Sequence, residues 1–225
     1  MIRKLWKIIQ NNERLIRITS TIYYYVMLNR VRGKTKNNII NNGGYLKKCK
    51  ININGVGNKI IIDKSVRLIN CNIRIHGNDC VLHIQKNCFI ENLIFHFEDN
   101  RCQILIGTNN IFSGGEFAVA ENDSVIEIGC NCLFSREVEI VTTDSHSILD
   151  KNSLTRINNA KNVKIGNNVW IGAHAVLLKG STIPNCCVIG RNTVVTKSFC
   201  IENCILAGVP AKIVKENILW QVERI

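Results

Sequence analysis

Aliphatic residues recur at every sixth position from Ile165 onward: Ile171, Leu177, Ile183, Ile189 and Val195. Glycine follows in Ile165-Gly166, Ile171-Gly172 and Ile189-Gly190. Two residues before each aliphatic stands something small or β-branched: Val163, Val169, Ala175, Ser181, Cys187 and Thr193. Neither the 3.6-residue period of a helix nor the two-residue period of an amphipathic strand produces that beat. A six-residue repeat with both positions restricted predicts a solenoid in which three short strands close one triangular coil.

Upstream the period lengthens to 22 residues. It aligns Ile62, Ile84, Ile106 and Ile128, and likewise Ile60, Leu82, Ile104 and Ile126. It also aligns Ile75, Phe97, Val119 and Val141, and the polar set Asn78, Asn100, Asn122 and Asp144. The spacing reads as an 18-residue coil of three hexads with four extra residues in its corners, tightening to the bare 18 after residue 162, as Ile165, Ile183 and Ile201 indicate. Stacked coils share a ladder of inward aliphatics, and stability accumulates between neighbours. The expected fold is therefore an all-β solenoid, a parallel β-helix over residues 51–207. Residues 147–161 fit neither period and are expected to protrude as a loop.

The ends depart from the repeat. Residues 1–31 are basic, aromatic and free of Gly and Pro, and Leu5, Trp6, Ile8, Ile9, Leu15 and Ile16 suit an amphipathic helix. That helix would cap the open solenoid or rest on a neighbouring subunit. The sharper alternative is peripheral contact with a membrane surface. Residues 32–50 read as a polar linker, so 1–50 forms an N-terminal segment. Gly208-Val209-Pro210 breaks the repeat at the other end, and residues 208–225 are expected to cap it with a short helix.

Composition narrows the chemistry. A chain of 225 residues suits one domain with short appendages. A net charge of +12 and a pI near 9.3 suit an anionic partner. Lys and Arg are spread through many coils without a nucleic-acid motif, which argues against nucleic acid. Of the eleven cysteines, Cys130 and Cys132 lie two apart and Cys186 and Cys187 are adjacent, with no paired metal knuckle. Cys132 and Cys187 fall on the small-residue beat, so the cysteines read as reduced small hydrophobes in a reducing cytoplasm. No signal peptide is expected, and the apolar runs are too short to span a bilayer.

One residue stands out chemically. In the 22-residue alignment His146 takes the place of Cys80, Cys102 and Ser124, directly before the irregular loop. A titratable imidazole at the root of a loop on a rigid scaffold is a general-base candidate. Asp144, two residues upstream, could orient that imidazole, or could simply continue the Asn corner ladder. Trp170 precedes a hexad aliphatic and should point outward, toward a ligand or a neighbouring protomer.

The stretch from Val163 to Lys215, VKIGNNVWIGAHAVLLKGSTIPNCCVIGRNTVVTKSF through LAGVPAKIVK, resembles the hexapeptide-repeat O-acetyltransferases. These include galactoside and maltose acetyltransferases. The ending AGVPAKIVKENILW is closer to capsular and O-antigen polysaccharide acetyltransferases, the polysialic acid enzymes among them. The resemblance begins at Thr143-Asp144-Ser145-His146, is looser over the 22-residue coils and is not specific for residues 1–50.

It implies a left-handed β-helix and a homotrimer. It implies transfer of acetyl from acetyl-CoA, the donor substrate, to a hydroxyl of a polysaccharide or oligosaccharide acceptor. The family's catalytic histidine falls on His146, and a tryptophan near the acetyl group falls on Trp170. Acetyl-CoA contacts fall on Ala173, Arg191, Thr196 and Lys197, and the CoA phosphates on Lys212 and Lys215. Both are Lys where galactoside enzymes carry Arg, which keeps the charge and loses the bidentate fork. Arg191 stands where a small Ala is common.

Other readings compete. N-acetylation of an amino sugar or nucleotide sugar would use the same base and donor. A zinc-dependent carbonic anhydrase would need closely spaced His ligands, which His76, His83, His96, His146 and His174 do not supply, so no metal is expected. A basic, non-enzymatic binding solenoid is the remote alternative. The expected location is the cytoplasm, or the inner face of the membrane if residues 1–31 bind it.

Overall fold

Every strand of the repeat exists because inward and outward residues alternate while the chain turns a corner every few positions. The computed structural model describes residues 29–34 and 36–223. Three sheets, parallel except for the last strand of the third, form the faces of a prism. The first contains β1 (Arg30–Gly33), β4 (Lys50–Ile53), β7 (Asn72–Ile75), β10 (Leu93–Phe97), β13 (Gly115–Val119), β16 (Val138–Val141), β19 (Val176–Leu177) and β22 (Val194–Val195). The second contains β2 (Ile39–Asn42), β5 (Lys59–Ile62), β8 (Val81–Ile84), β11 (Gln103–Ile106), β14 (Val125–Ile128), β17 (Val163–Ile165) and β20 (Thr182–Ile183). The third contains β3 (Tyr45–Lys47), β6 (Arg67–Ile69), β9 (Phe89–Glu91), β12 (Ile111–Phe112), β15 (Leu133–Phe134), β18 (Trp170–Ile171), β21 (Val188–Ile189), β23 (Ile205–Ala207) and β24 (Lys212–Lys215).

The inward ladders are dry. On the first sheet Ile51, Ile73, Phe95, Phe117, Ile140, Leu177 and Val195 stack coil upon coil, all buried. Phe112, Phe117 and Phe134 fill the axis where the repeat changes, with Phe112 and Phe134 stacked at 4.4 Å between centroids. The cysteines behave as small core residues: eight are buried and all are free thiols. Burial pushes the thiols of Cys88 and Cys132 up to about 11 and about 12.

Corners are held by amide ladders. Asn87, Asn109 and Asn131 adopt φ of 60°, 60° and 59°. Each of the first two donates Nδ2 to the next Asn Oδ1, at 3.1 and 3.0 Å. Asn tolerates this left-handed region because its short polar side chain bonds locally. At Gly115, with φ of 140°, an added Cβ would come within 1.9 Å of the Val138 carbonyl oxygen, so no side chain fits there.

Several expectations are corrected. Residues 32–50 are not a linker: β1, β2 and β3 make a full coil, with Val31 and Ile40 packed on the core and Leu46 buried in it. Sparse aliphatics among Asn and Lys hide that coil from a periodicity search. The 22-residue alignment also breaks before β16, where Ala118 pairs with Val141 at an offset of 23. One extra corner residue turns Val141 outward and puts Thr142 inside. Beyond the loop, Ile126 pairs with Val163, so the line through Cys102 and Ser124 continues at Lys161 and not at His146.

The far end differs as well. Ile201 is 40% exposed, and Leu206 takes the ladder position over Ile189. The expected C-terminal helix is instead β24, antiparallel to β23. Alternation decides this: Ile213 packs on the core while Lys212, Val214 and Lys215 face out. No helix occurs among the described residues. The helix expected over residues 1–31 lies outside the described residues up to position 28, and Arg30 and Val31 already belong to β1.

Candidate active site

The excursion between β16 and β17 is a miniature hairpin. Leu149 and Arg156 form an antiparallel bridge, and the Ile157 N–H donates to the Ile148 carbonyl at 2.9 Å. Asp150 closes the turn, its Oδ1 accepting from the N–H groups of Asn152 and Ser153 at 3.0 and 2.8 Å. Ile148, Leu149, Leu154 and Ile157 leave apolar surface exposed on it.

Its root is clamped by two linked ion pairs. The Arg156 guanidinium grips the Glu121 carboxylate through both oxygens, at 2.9 and 2.5 Å. Glu121 also accepts from the Thr143 hydroxyl at 2.7 Å and the Ala160 N–H at 3.2 Å. Arg156 beside it holds the Glu121 carboxyl below the usual range. On the other side Lys179 Nζ donates to the Asp144 carboxylate at 2.5 Å and to the Asn158 carbonyl at 2.7 Å. Lys179 first, and Asn158 second, hold the Asp144 carboxyl below its ordinary value. Asn158 is the centre of the clamp. Its Nδ2 donates to Asp144 and to the His146 carbonyl, and its Oδ1 accepts from the Ile148 N–H.

His146 is therefore fixed through its backbone while its ring stays free. Its N–H donates to the Asp144 carbonyl at 2.8 Å, its side chain is exposed, and its imidazole has no partner among the described residues. Asp144 does not bond that ring. It has also left the corner ladder, in which Asn78 and Asn100 donate to Asn100 and Asn122 respectively. Its contact with His146 runs through Asn158 and the backbone.

Trp170 stands on the outer face of the third sheet, 39% exposed, between Leu133 and Val188. Trp220 leans over it, with ring centroids 6.1 Å apart, and donates its indole N–H to the Asn168 carbonyl at 2.7 Å. Trp220 and Asn168, together with Asn131 and Leu133, border an open cleft of about 330 Å³. His146 occupies the corner between the first and second sheets, so a single chain puts His146 and Trp170 on different faces of the prism.

The residues matched to the donor gather at the C-terminal coils. Ala173 and Arg191 stack in successive coils, the Asn192 N–H donating to the Ala173 carbonyl at 3.0 Å. Thr196 and Lys197 follow β22, and Lys197 lies 5.5 Å over the Phe199 ring. The Ala211 N–H, just before β24, donates to the Val194 carbonyl at 2.8 Å, which ties the start of β24 to β22. Arg191, Thr196, Lys197, Lys212 and Lys215 are all exposed there.

Comparison with known proteins gives this arrangement a context. A family model described as bacterial transferase hexapeptide (six repeats) matches residues 162–197. A crystal structure of the polysialic acid O-acetyltransferase OatWY is 35% identical, with a TM-score of 0.80 over 88% of this chain and 92% of that one. The chain belongs to the hexapeptide-repeat acetyltransferase family. The polySia-specific acetyltransferase NeuO matches at 30% identity and a TM-score of 0.78, covering 87% of this chain and 88% of that one. A polysialic acid O-acetyltransferase from Neisseria meningitidis is 58% identical over 82 residues, 36% of this chain. One from Escherichia coli O1:K1 / APEC is 40% identical over 86 residues, 38% of this chain. Those two alignments span only 38% and 28% of the relatives' own lengths.

Glu121, Arg156, Asn158 and Lys179 escape a reading by period because their partners lie across the register slip or across the insertion, and Trp220 because it lies beyond the repeat. Only Trp220, in the ending NILW, carries a visible signal: a large aromatic beyond the last repeat.

Proposed function

We propose that this protein transfers the acetyl group of acetyl-CoA to a hydroxyl of polysialic acid. The observation that carries the reading is the 35% identity to OatWY across 88% of the chain. In this mechanism neutral His146 takes the proton of the sugar hydroxyl as its oxygen attacks the thioester carbonyl. The oxygen–carbon bond forms, the carbon–sulfur bond breaks, and the proton passes from the imidazolium to the departing CoA sulfur. No covalent acetyl-enzyme is needed when both substrates share one cleft, which supplies the proximity. The oxyanion takes a hydrogen bond from a backbone N–H or from the Trp170 indole N–H, which has no partner among the described residues.

The wide separation of His146 and Trp170 on one prism favours a site completed between protomers of a homotrimer of left-handed coils. Ala173, Arg191, Thr196 and Lys197 would line the donor, and Lys212 and Lys215 would meet its phosphates. The +12 charge suits both CoA and a polyanionic acceptor. The reaction is assigned to the cytoplasm, with the inner face of the membrane as the alternative.

The test is CoA thiol release from acetyl-CoA with polysialic acid, neutral capsule fragments, galactosides and amino sugars as acceptors. Release that depends on polysialic acid is expected. Release with amino sugars alone would reassign the protein to N-acetylation, and silence across the panel with acetyl-CoA bound would overturn the acceptor.

A further inference from the structure

We propose that His76, His96 and Glu98 form a binding site for a divalent transition-metal ion of the zinc or nickel type, on the outer face of the first sheet. Two periods converge there. His96 and Glu98 alternate with buried Phe95 and Phe97, so both side chains leave the same face. One coil earlier His76 follows β7, its N–H donating to the Phe97 carbonyl at 2.8 Å, which sets it beside Glu98.

One ligand atom from each residue lies within 4.8 Å of the other two. His96 Nε2 is 2.9 Å from Glu98 Oε2, and the two imidazoles meet edge to face at 5.5 Å between centroids. Two donors on one zinc ion, each about 2.0–2.1 Å from it, cannot stand more than about 4 Å apart, so small side-chain rotations close the site without moving the sheet.

The surroundings support the donors. Asn54 lies 3.1 Å from His76 Nδ1 and holds that ring by the nitrogen that would not bind metal. Glu116 stands 3.7 Å from His96 Nδ1 and adds a second carboxylate. Arg74, in register with His96, and Arg32, which lines the same surface with His76 and Arg74, are the opposing cations, so two carboxylates and two imidazoles stand near two guanidiniums. Two imidazoles and a carboxylate with open positions suit zinc, nickel or cobalt, whereas calcium and magnesium require oxygen donors. The site precedes the loop of His146 by two coils. Its consequence is to tie adjacent coils together, with no part in acetyl transfer.

The test is calorimetric titration of the metal-stripped full chain with Zn²⁺, paired with thermal melts and the visible spectrum of the Co²⁺ form. One equivalent should bind, the melting midpoint should rise, and the Co²⁺ bands should lack intense thiolate charge transfer. His76→Ala and His96→Ala should each weaken binding by at least about tenfold while leaving the metal-free melt unchanged, because both side chains point outward. Absence of heat and of a melting shift would overturn the site. So would binding that survives in the double variant, or a thiolate band that moves the ion to the cysteines. Acetyl transfer measured alongside is unaffected by these variants, so this result and the proposed reaction fail independently.

Discussion

Asp144 and Lys179 join the root of the hairpin to the following coil, with 2.5 Å between carboxylate and ammonium. The Lys179 side chain is only 16% exposed and has the Asn158 carbonyl as its second acceptor. Asp144→Asn removes the charge while keeping the shape, leaving a nearly buried cation with a weaker partner. We expect a stability loss on the order of 1 kcal/mol, because Asp144 remains 38% exposed and solvent screens the pair. Turnover should fall while the Michaelis constant for acetyl-CoA holds, since the loop that carries His146 loosens and the C-terminal coils do not. A rise in that constant with unchanged turnover would contradict a positioning role.

The pH dependence of the clamp has a definite sign. Glu121 and Asp144 both have carboxyl groups held below the ordinary carboxylate range, by Arg156 and Lys179 respectively. Depressed values in the folded state give stability that is fully present above the unfolded value, about 4, and is lost as pH falls through the folded value. Thermal melts of the wild type and Glu121→Gln should therefore differ by a constant amount from neutral pH down to about 5 and converge below about 4. A gap that did not begin to narrow as the pH fell below about 4 would show that the ion pair is not its source.

His146→Ala should lower acetyl transfer by about 10²–10⁴-fold, the range attributed to a positioned general base. The fold should be unchanged, because the side chain is exposed and makes no hydrogen bond among the described residues. Circular dichroism with the thiol-release assay checks both halves. Near-normal turnover in the folded variant would remove His146 from the reaction.

The coils from Ile60 to Ile128 and the hexads from Ile165 to Val195 were legible because each inward residue repeats at a fixed interval. What failed were the departures of a residue or two. The extra corner residue before β16 turned Val141 outward, and the insertion moved the Ser124 line to Lys161. His146 was singled out by an alignment that does not hold in space, although its place at the loop root does. The β24 strand was missed because a short stretch of Lys, Ile and Val after a Pro suits a strand or a helix equally. The clamp of Glu121, Arg156, Asn158 and Lys179 is tertiary, built by residues up to 58 positions apart, and no local pattern announces it.

Phe117 anchors the axis where 22-residue coils give way to hexads, touching the rings of Phe95, Phe112 and Phe134 at centroid distances of 6.2, 5.7 and 5.8 Å. Phe117→Ala should cost about 3–5 kcal/mol through lost transfer energy and the cavity left behind. Because each coil contacts only its neighbours, amide exchange should accelerate most in the strands flanking β13 and less toward β22. Uniform acceleration along the whole solenoid would mean that the coils unfold as one unit.

Lys215 lies at the end of β24, exposed and paired through its backbone with Ile205, so its charge can be reversed without disturbing the core. If Lys212 and Lys215 meet the CoA phosphates, Lys215→Glu should raise the Michaelis constant for acetyl-CoA roughly tenfold, equivalent to about 1.4 kcal/mol, and leave turnover within about twofold. The effect should shrink with added salt, as expected for a solvent-exposed charge. Lys164→Glu on the second sheet is the control: it reverses the same charge at a site 62% exposed and, among the described residues, paired with Glu127. A long-range effect of the +12 chain would move both variants equally, whereas a local phosphate contact moves Lys215→Glu alone.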